Sequence, residues 1–172
     1  MADLIERRHE ADGVASRAVY SPCERYRYTL ERIWDRQAPR LTYIMLNPSK
    51  ATELANDPTI ERCQRRAVAL GYGAMRISNL FAWRETDPAS LKRAVSPVGA
   101  DTDRLLLDDA AWAGNVLCAW GVHGTHLGRG NEVLSHLRDS GATLFHLGLT
   151  KGGLPRHPLY VAYRTEMTRW VL

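Results

Sequence analysis

The sequence predicts an α/β fold: a three-layer α/β/α domain on a four-stranded parallel sheet, preceded by an N-terminal β-hairpin. Three observations predict it. Between residues 40 and 160, apolar runs alternate with amphipathic stretches in the order strand, helix, strand, helix, strand, helix, strand. Ahead of them, residues 25–34 alternate with period two, and Ser21-Pro22 marks a turn. The 172 residues, 45% hydrophobic and 24% charged, are enough for one globular domain with a full core. We therefore expect a single domain over residues 1–172, with a hairpin extension at 16–35 and the parallel-sheet core at 40–160.

Each element has its own signal. The run Leu41-Thr42-Tyr43-Ile44-Met45-Leu46 reads as a buried strand that stops at Asn47-Pro48-Ser49. A helix follows, with Asp57 as its N-cap and Pro58 at its first position. Ile60, Cys63, Ala67 and Leu70 give that helix an apolar stripe, and Gly71 and Gly73 end it. Residues 74–80 form a second strand, 89–95 a short helix and 101–113 a longer amphipathic one. Residues 115–120 form a third buried strand closed by a glycine-rich loop, 132–140 a helix and 142–147 a fourth strand. The tail from Tyr160 onward fits a last helix.

Composition excludes several classes. Cys23, Cys63 and Cys118 are odd in number and contain no CxxC pair, which argues against a disulfide framework, a structural zinc site or an iron–sulfur cluster. Residues 1–10 are charged throughout and lack the apolar core of a secretory signal. No apolar run approaches the roughly eighteen residues of a membrane span. A cytoplasmic protein with no membrane segment is expected. Net charge is +4, and nearly all cations are arginine, since lysine occurs only at positions 50, 92 and 151. That balance permits a nucleic-acid partner without requiring one.

In open α/β sheets, ligands bind beyond the carboxyl ends of the strands, and the unusual polar clusters follow strands here. Asn47-Pro48-Ser49-Lys50 is placed to position a water or a ligand, or is simply a turn. In Ser78-Asn79-Leu80-Phe81-Ala82-Trp83-Arg84, the Asn79 amide offers both donor and acceptor to a base edge. Phe81 and Trp83 suit stacking or core equally. Residues 120–130 bring Gly121, Gly124, Gly128 and Gly130 with Arg129, a loop open to phosphate approach or to plain flexibility. In residues 147–160, His157 stands before proline among Lys151, Arg156 and several glycines, a setting that suits an anion or a developing oxyanion.

The order of these clusters resembles the uracil-DNA glycosylase superfamily. The matching stretches are Met45-Leu46-Asn47-Pro48-Ser49, Ile77-Ser78-Asn79-Leu80, Leu117-Cys118-Ala119-Trp120-Gly121 and Arg156-His157-Pro158-Leu159. The runs Asn56-Asp57-Pro58-Thr59-Ile60 and Asn79-Leu80-Phe81-Ala82 resemble, more closely, an uncharacterised bacterial and phage family within that fold. The resemblance implies a monomeric DNA glycosylase acting on uracil or a 5-substituted uracil, with DNA as partner and neither metal nor cofactor. A nucleotide would be flipped into the pocket. Asn47 and His157 would be catalytic, Asn47 orienting a water toward C1′ and His157 stabilising the departing base. Asn79, Ser49, Phe81, Trp83 and Gly121 would hold the base. Lys50, Arg84, Arg129, Lys151 and Arg156 would meet DNA, with Ser49 and Gly124 beside them on phosphate. Leu159 or Tyr160 would fill the gap left by the flipped base. Two departures stand out: Asn47 cannot act as a general base, and Leu159-Tyr160 replaces the family's Ser-Pro. A nucleoside or nucleotide N-glycosidase and a non-catalytic modified-base binding module are the alternative readings.

Overall fold

A computed structural model describes residues 3–172; Met1 and Ala2 lie outside the described residues. Strands β1 (Ile5–Ala11), β2 (Val14–Tyr20), β3 (Arg27–Ile33) and β4 (Arg40–Met45) precede helix α1 (Pro58–Ala69). Strand β5 (Ala74–Asn79), helices α2 (Pro88–Arg93) and α3 (Thr102–Ala113), and strand β6 (Asn115–Cys118) follow. After a 3-10 segment, Val122–Gly128, come helix α4 (Arg129–Asp139) and strand β7 (Thr143–His146). A 3-10 turn, Pro158–Tyr160, and a short strand β8 (Thr168–Arg169) complete the chain.

The expected four-stranded parallel, three-layer α/β/α arrangement is overturned. The strands form one eight-stranded mixed sheet, ordered β1-β2-β3-β5-β4-β6-β7-β8, and four of its seven pairings are antiparallel. The hairpin is part of the sheet, because β3 pairs with β5 through Leu30↔Ile77 to Ile33↔Ala74. The charged N-terminal stretch supplies β1, which pairs along its whole length with β2. No helix forms in the tail: the 3-10 turn takes its start, and Thr168–Arg169 pairs antiparallel with β7. Trp170 anchors that strand by packing against Trp120 and His146.

Strand β4 sits near the middle, with β5 on one side and β6 on the other, both parallel to it. Leu41, Tyr43 and Met45 pack with Ile60, Cys63 and Ala67 of α1. Ile44 and Leu46 belong to the opposite apolar cluster, with Leu106 and Ala110 of α3 and Val133 and Leu137 of α4. Burial on both faces is why this strand reads as an unbroken apolar run. Helix α1 starts where its cap dictates: Asp57 Oδ1 accepts from the Ile60 N–H at 2.8 Å, with Pro58 at the first helical position.

The alternating polar residues of β3 do not face solvent. Thr29 and Glu31 are buried in a network centred on Asp109 of α3. Asp109 Oδ2 accepts from Thr29 Oγ1 (2.7 Å) and Ser78 Oγ (2.5 Å), and Oδ1 accepts from Arg76 Nη1 (3.2 Å). Thr42 Oγ1 donates to the Asp109 carbonyl (2.7 Å), and Arg76 Nε also reaches Glu31 at 2.6 Å. Burial pushes the Asp109 carboxyl pKa up, opposed by the hydrogen bonds from Ser78 and Thr29 and by the Arg76 charge. Asp109→Ala would strand the buried Thr29 and Ser78 hydroxyls and take one of two carboxylates from the half-buried Arg76, and we expect it to cost about 3 kcal/mol. Urea denaturation measures it, and an unchanged midpoint would show that the network carries no stability.

Candidate functional site

At the carboxyl ends of β4 and β6, where the chain has turned first to β5 and later to β6, lies a cavity of about 780 Å³. Its walls come from the segment after β4 (Asn47, Pro48, Ser49, Lys50), the start of α1, the segment after β6 (Trp120 to His123), and the loop carrying Arg156 and His157. Glu85 and Thr86 close another side, and Arg27 reaches it from β3. A cavity of this size accommodates a nucleotide-sized ligand.

The Asn47 amide is held by its nitrogen. Nδ2 donates to the carbonyl of Glu85 at 2.6 Å and to that of Pro48 at 3.1 Å. The Glu85 N–H returns a bond to the Pro48 carbonyl, and Ser49 Oγ meets Thr86 Oγ1, so the two loops are clasped together. Oδ1 accepts no hydrogen bond from any described residue, which leaves an acceptor at the cavity wall. An aspartate at 47 would set a carboxylate against two carbonyl oxygens, so the local structure selects the amide.

His157 is fixed by its other neighbours. Nδ1 accepts the Leu159 N–H (3.2 Å) at the start of the Pro158–Tyr160 turn. With Nδ1 an acceptor, the neutral ring carries its proton on Nε2 and acts as a donor. Burial depresses the His157 pKa to about 4, and the Asp57 charge opposes that shift. The imidazole is therefore neutral at physiological pH. From α1, Arg62 holds the carbonyls of Pro158 (3.0 Å) and Val161 (2.6 Å), while Arg66 holds Val161 and Thr165. Gly121, at φ 74°, donates to the Pro155 carbonyl (2.8 Å), and a Cβ there would lie 3.4 Å from that of His157. Only glycine takes this backbone conformation without strain.

Among the sequence candidates, Asn47, Ser49, Lys50, Gly121, Arg156, His157, Leu159 and Tyr160 meet at this cavity. The others lie elsewhere. Asn79 is buried on β5 beside Met45, with neither amide atom partnered. Phe81 is fully buried against His126, and Trp83 packs on Tyr26 and under Arg25. Arg84 lies over the Tyr20 ring and donates to the Glu24 carbonyl. Arg129 is buried, bonded to the Leu80 carbonyl and paired with Asp103 and Glu132, out of reach of a phosphate. Lys151 is exposed in its loop, off the cavity wall.

The glycine-rich loop serves packing. A Cβ on Gly124 would fall 2.1 Å from Trp120 Cδ1, and one on Gly130 would fall 3.1 Å from its Nε1. Sequence reasoning passed over Arg27, Glu85, Thr86, Arg62 and Arg66 in the site's construction. Arg62 and Arg66 fall on one helix four residues apart, a pattern that reads first as a solvated face. Asp103, Glu132 and His136 also come together, but Arg129 already neutralises that cluster. The three cysteines remain separate thiols.

Residues 27–159 match the family model described as protein of unknown function (DUF1643). The chain belongs to the DUF1643 family. The matched stretch starts at Arg27 and includes Asn47 and His157, so for this DUF1643 member it spans most of the cavity wall. No curated protein and no solved structure matches the chain. Among the described residues, no helix is long and apolar enough to cross a membrane.

The His157 titration gives a direct check. With the folded value near 4 and an unfolded value near 6.5, the unfolded chain binds a proton that the folded one refuses. Stability from this group is complete above about pH 6.5 and falls as pH drops toward 4, by at most about 3 kcal/mol. Proton NMR should give the His157 midpoint near 4. Asp57→Asn, which keeps a capping side chain, should lower it further. A midpoint near 6.5 would mean an exposed ring and an unconstrained donor.

Proposed function

We propose that this cavity hydrolyses the N-glycosidic bond of uracil, or of a 5-substituted uracil, in a nucleotide flipped out of DNA. The reading rests on one observation: a neutral imidazole donor and an anchored amide acceptor, His157 and Asn47, belong to the same cavity. A relationship to the uracil-DNA glycosylases is part of the proposal, suggested by the motifs around these two residues.

Hydrolysis needs little more than these two groups can supply. Asn47 Oδ1 accepts a hydrogen bond from a water and so points an oxygen lone pair at C1′. As the C1′–N1 bond breaks, negative charge grows on the base and His157 Nε2–H donates to it. A neutral donor suits this task, since the ring need not give up its proton. The new C1′–O bond comes from the water, whose released proton passes to solvent. Lys50 and Arg156 at the cavity wall carry charge of the right sign for the flanking phosphates. Tyr160, 80% exposed, or Leu159, both at the cavity wall, would serve as the wedge into the base stack.

The test is incubation of excess protein with single-stranded and duplex oligonucleotides carrying uracil, hydroxymethyluracil, or thymine opposite guanine. Alkali then reveals abasic sites. We expect base-specific cleavage that falls about 10²–10³-fold in His157→Ala and about 10²-fold in Asn47→Ala. Asn47→Asp should not exceed the parent rate, because its carboxylate would face the Glu85 and Pro48 carbonyls. Retention of the modified base without cleavage would replace catalysis by a base-binding role. Cleavage unchanged in both alanine variants would remove these residues from the mechanism.

A further inference from the structure

We propose that the cavity receives a phosphate group of its nucleotide ligand through the guanidinium of Arg27. The proposal rests on reading the cavity as a nucleotide site, and it names a group that reading had not used.

Arg27 is 2% exposed and lines the cavity. Its Nη1 donates to the Ala51 carbonyl at 2.8 Å, and its Nε has no partner. Among the described residues, no carboxylate lies within ion-pair distance of it. The other buried arginines are better satisfied. Arg129 has two carboxylates and the Leu80 carbonyl. Arg32 bonds Asn56 and the carbonyls of Glu31, Thr52 and Ala55. Arg66 holds three carbonyls, against one for Arg27, although its Nε also lacks a partner. Burial lowers the Arg27 pKa only to about 10, so the group stays charged at neutral pH. A buried cation without a counter-ion is costly, and its usual remedy is a partner of opposite sign.

The backbone accounts for the placement. Tyr20 pairs with Arg27 while Val19 pairs with Thr29, which leaves Tyr28 as the extra residue of a β-bulge. Bulges re-aim side chains beside functional sites. The carboxylate whose charge bears on Arg27 is that of Asp57, and both its oxygens are engaged, by the N–H groups of Ile60 and Ala51. Nε is sealed from the cavity, so the part of the guanidinium that suits a ligand oxygen is Nη2, which bonds no described residue. A guanidinium matches phosphate geometry better than any other side chain.

The experiment compares ligands on the intact chain. Calorimetry would use 2′-deoxyuridine, its 5′-monophosphate, inorganic phosphate, and a trinucleotide with an internal deoxyuridine. We expect the monophosphate or the trinucleotide to bind about ten- to hundredfold tighter than the nucleoside, with inorganic phosphate competing. Which of the two gains tells whether a monoester or a backbone diester is recognised. The gain should vanish in Arg27→Met and be retained in part in Arg27→Lys. Because a buried substitution can unfold the chain, the nitrogen-15 shift of Arg27 Nε in the unaltered protein is followed as well. It should move with the monophosphate and with inorganic phosphate, but not with the nucleoside.

Equal affinity for nucleoside and nucleotide, or an Arg27 Nε signal indifferent to phosphate, would overturn the proposal. Asn47→Ala separates the two readings, since it should keep the phosphate gain while losing hydrolysis. A phosphate response without cleavage of any base would refute the glycosidase reading and leave the phosphate site standing.

Discussion

The carboxylate of Asp109 ties this fold together. It lies on a helix, yet its oxygens accept from Thr29 on β3 and from Ser78 and Arg76 on β5, while its carbonyl accepts from Thr42 on β4. Three strands of different origin are thereby pinned to one turn of α3. Strand β3 arrives from an antiparallel hairpin and β5 runs parallel to β4, so nothing in the crossover helices alone would join them. The β3–β5 ladder makes the hairpin part of the sheet, and the buried charge network fixes that join to α3. A charge in that position is tolerated because its lone pairs are met.

The cavity inherits its geometry from this join. With β3 fixed beside β5, the bulge at Tyr28 falls at the cavity end of the sheet and Arg27 enters the wall. With β4 between β5 and β6, the segments after β4 and after β6 diverge and leave the crevice open. Arg62 and Arg66 of α1 then hold the turn that carries His157. The polar groups at the site thus come from several separate segments of the chain, and no single loop could form it alone.

What was legible in the sequence follows from which signals are local. The Asp57-Pro58 start of α1 is a property of four consecutive residues, and the structure begins that helix at Pro58. Asn47 and His157 stand out as polar residues before proline in the segments that follow the first and fourth apolar runs, although Asn47-Pro48 reads equally as a turn. Strand pairing is not local. The alternation in residues 25–34 suits an edge ribbon or an antiparallel extension with one polar face, and the sequence does not show that Asp109, eighty positions beyond Thr29, covers that face. Thr168–Arg169 is two residues long, below the length at which period two can be seen. The glycines at 124 and 130 suggested phosphate, although what needs their missing side chains is the Trp120 indole. Arg129 looked like a free cation until Asp103, Glu132 and the Leu80 carbonyl were found around it.

Electrostatics links the amide at position 47 to the arginine at position 27. A carboxylate at 47 would activate a water more strongly than an amide does. It would also stand in the same cavity as Asp57, facing two carbonyl oxygens and any phosphate the ligand brought with it. At short range in a partly buried site, such repulsion amounts to several kcal/mol. A neutral acceptor removes that penalty but gives up proton abstraction, which in the proposed hydrolysis would place the burden of rate on stabilising the leaving group. On the proposed reading, His157 would meet that demand as a neutral donor, kept so by burial. The arrangement of neutral acceptor, neutral donor and unpaired buried cation is therefore self-consistent for a ligand that enters as an anion and whose base departs as one. It would be poorly matched to an uncharged nucleoside, for which Arg27 would remain a buried charge without a partner.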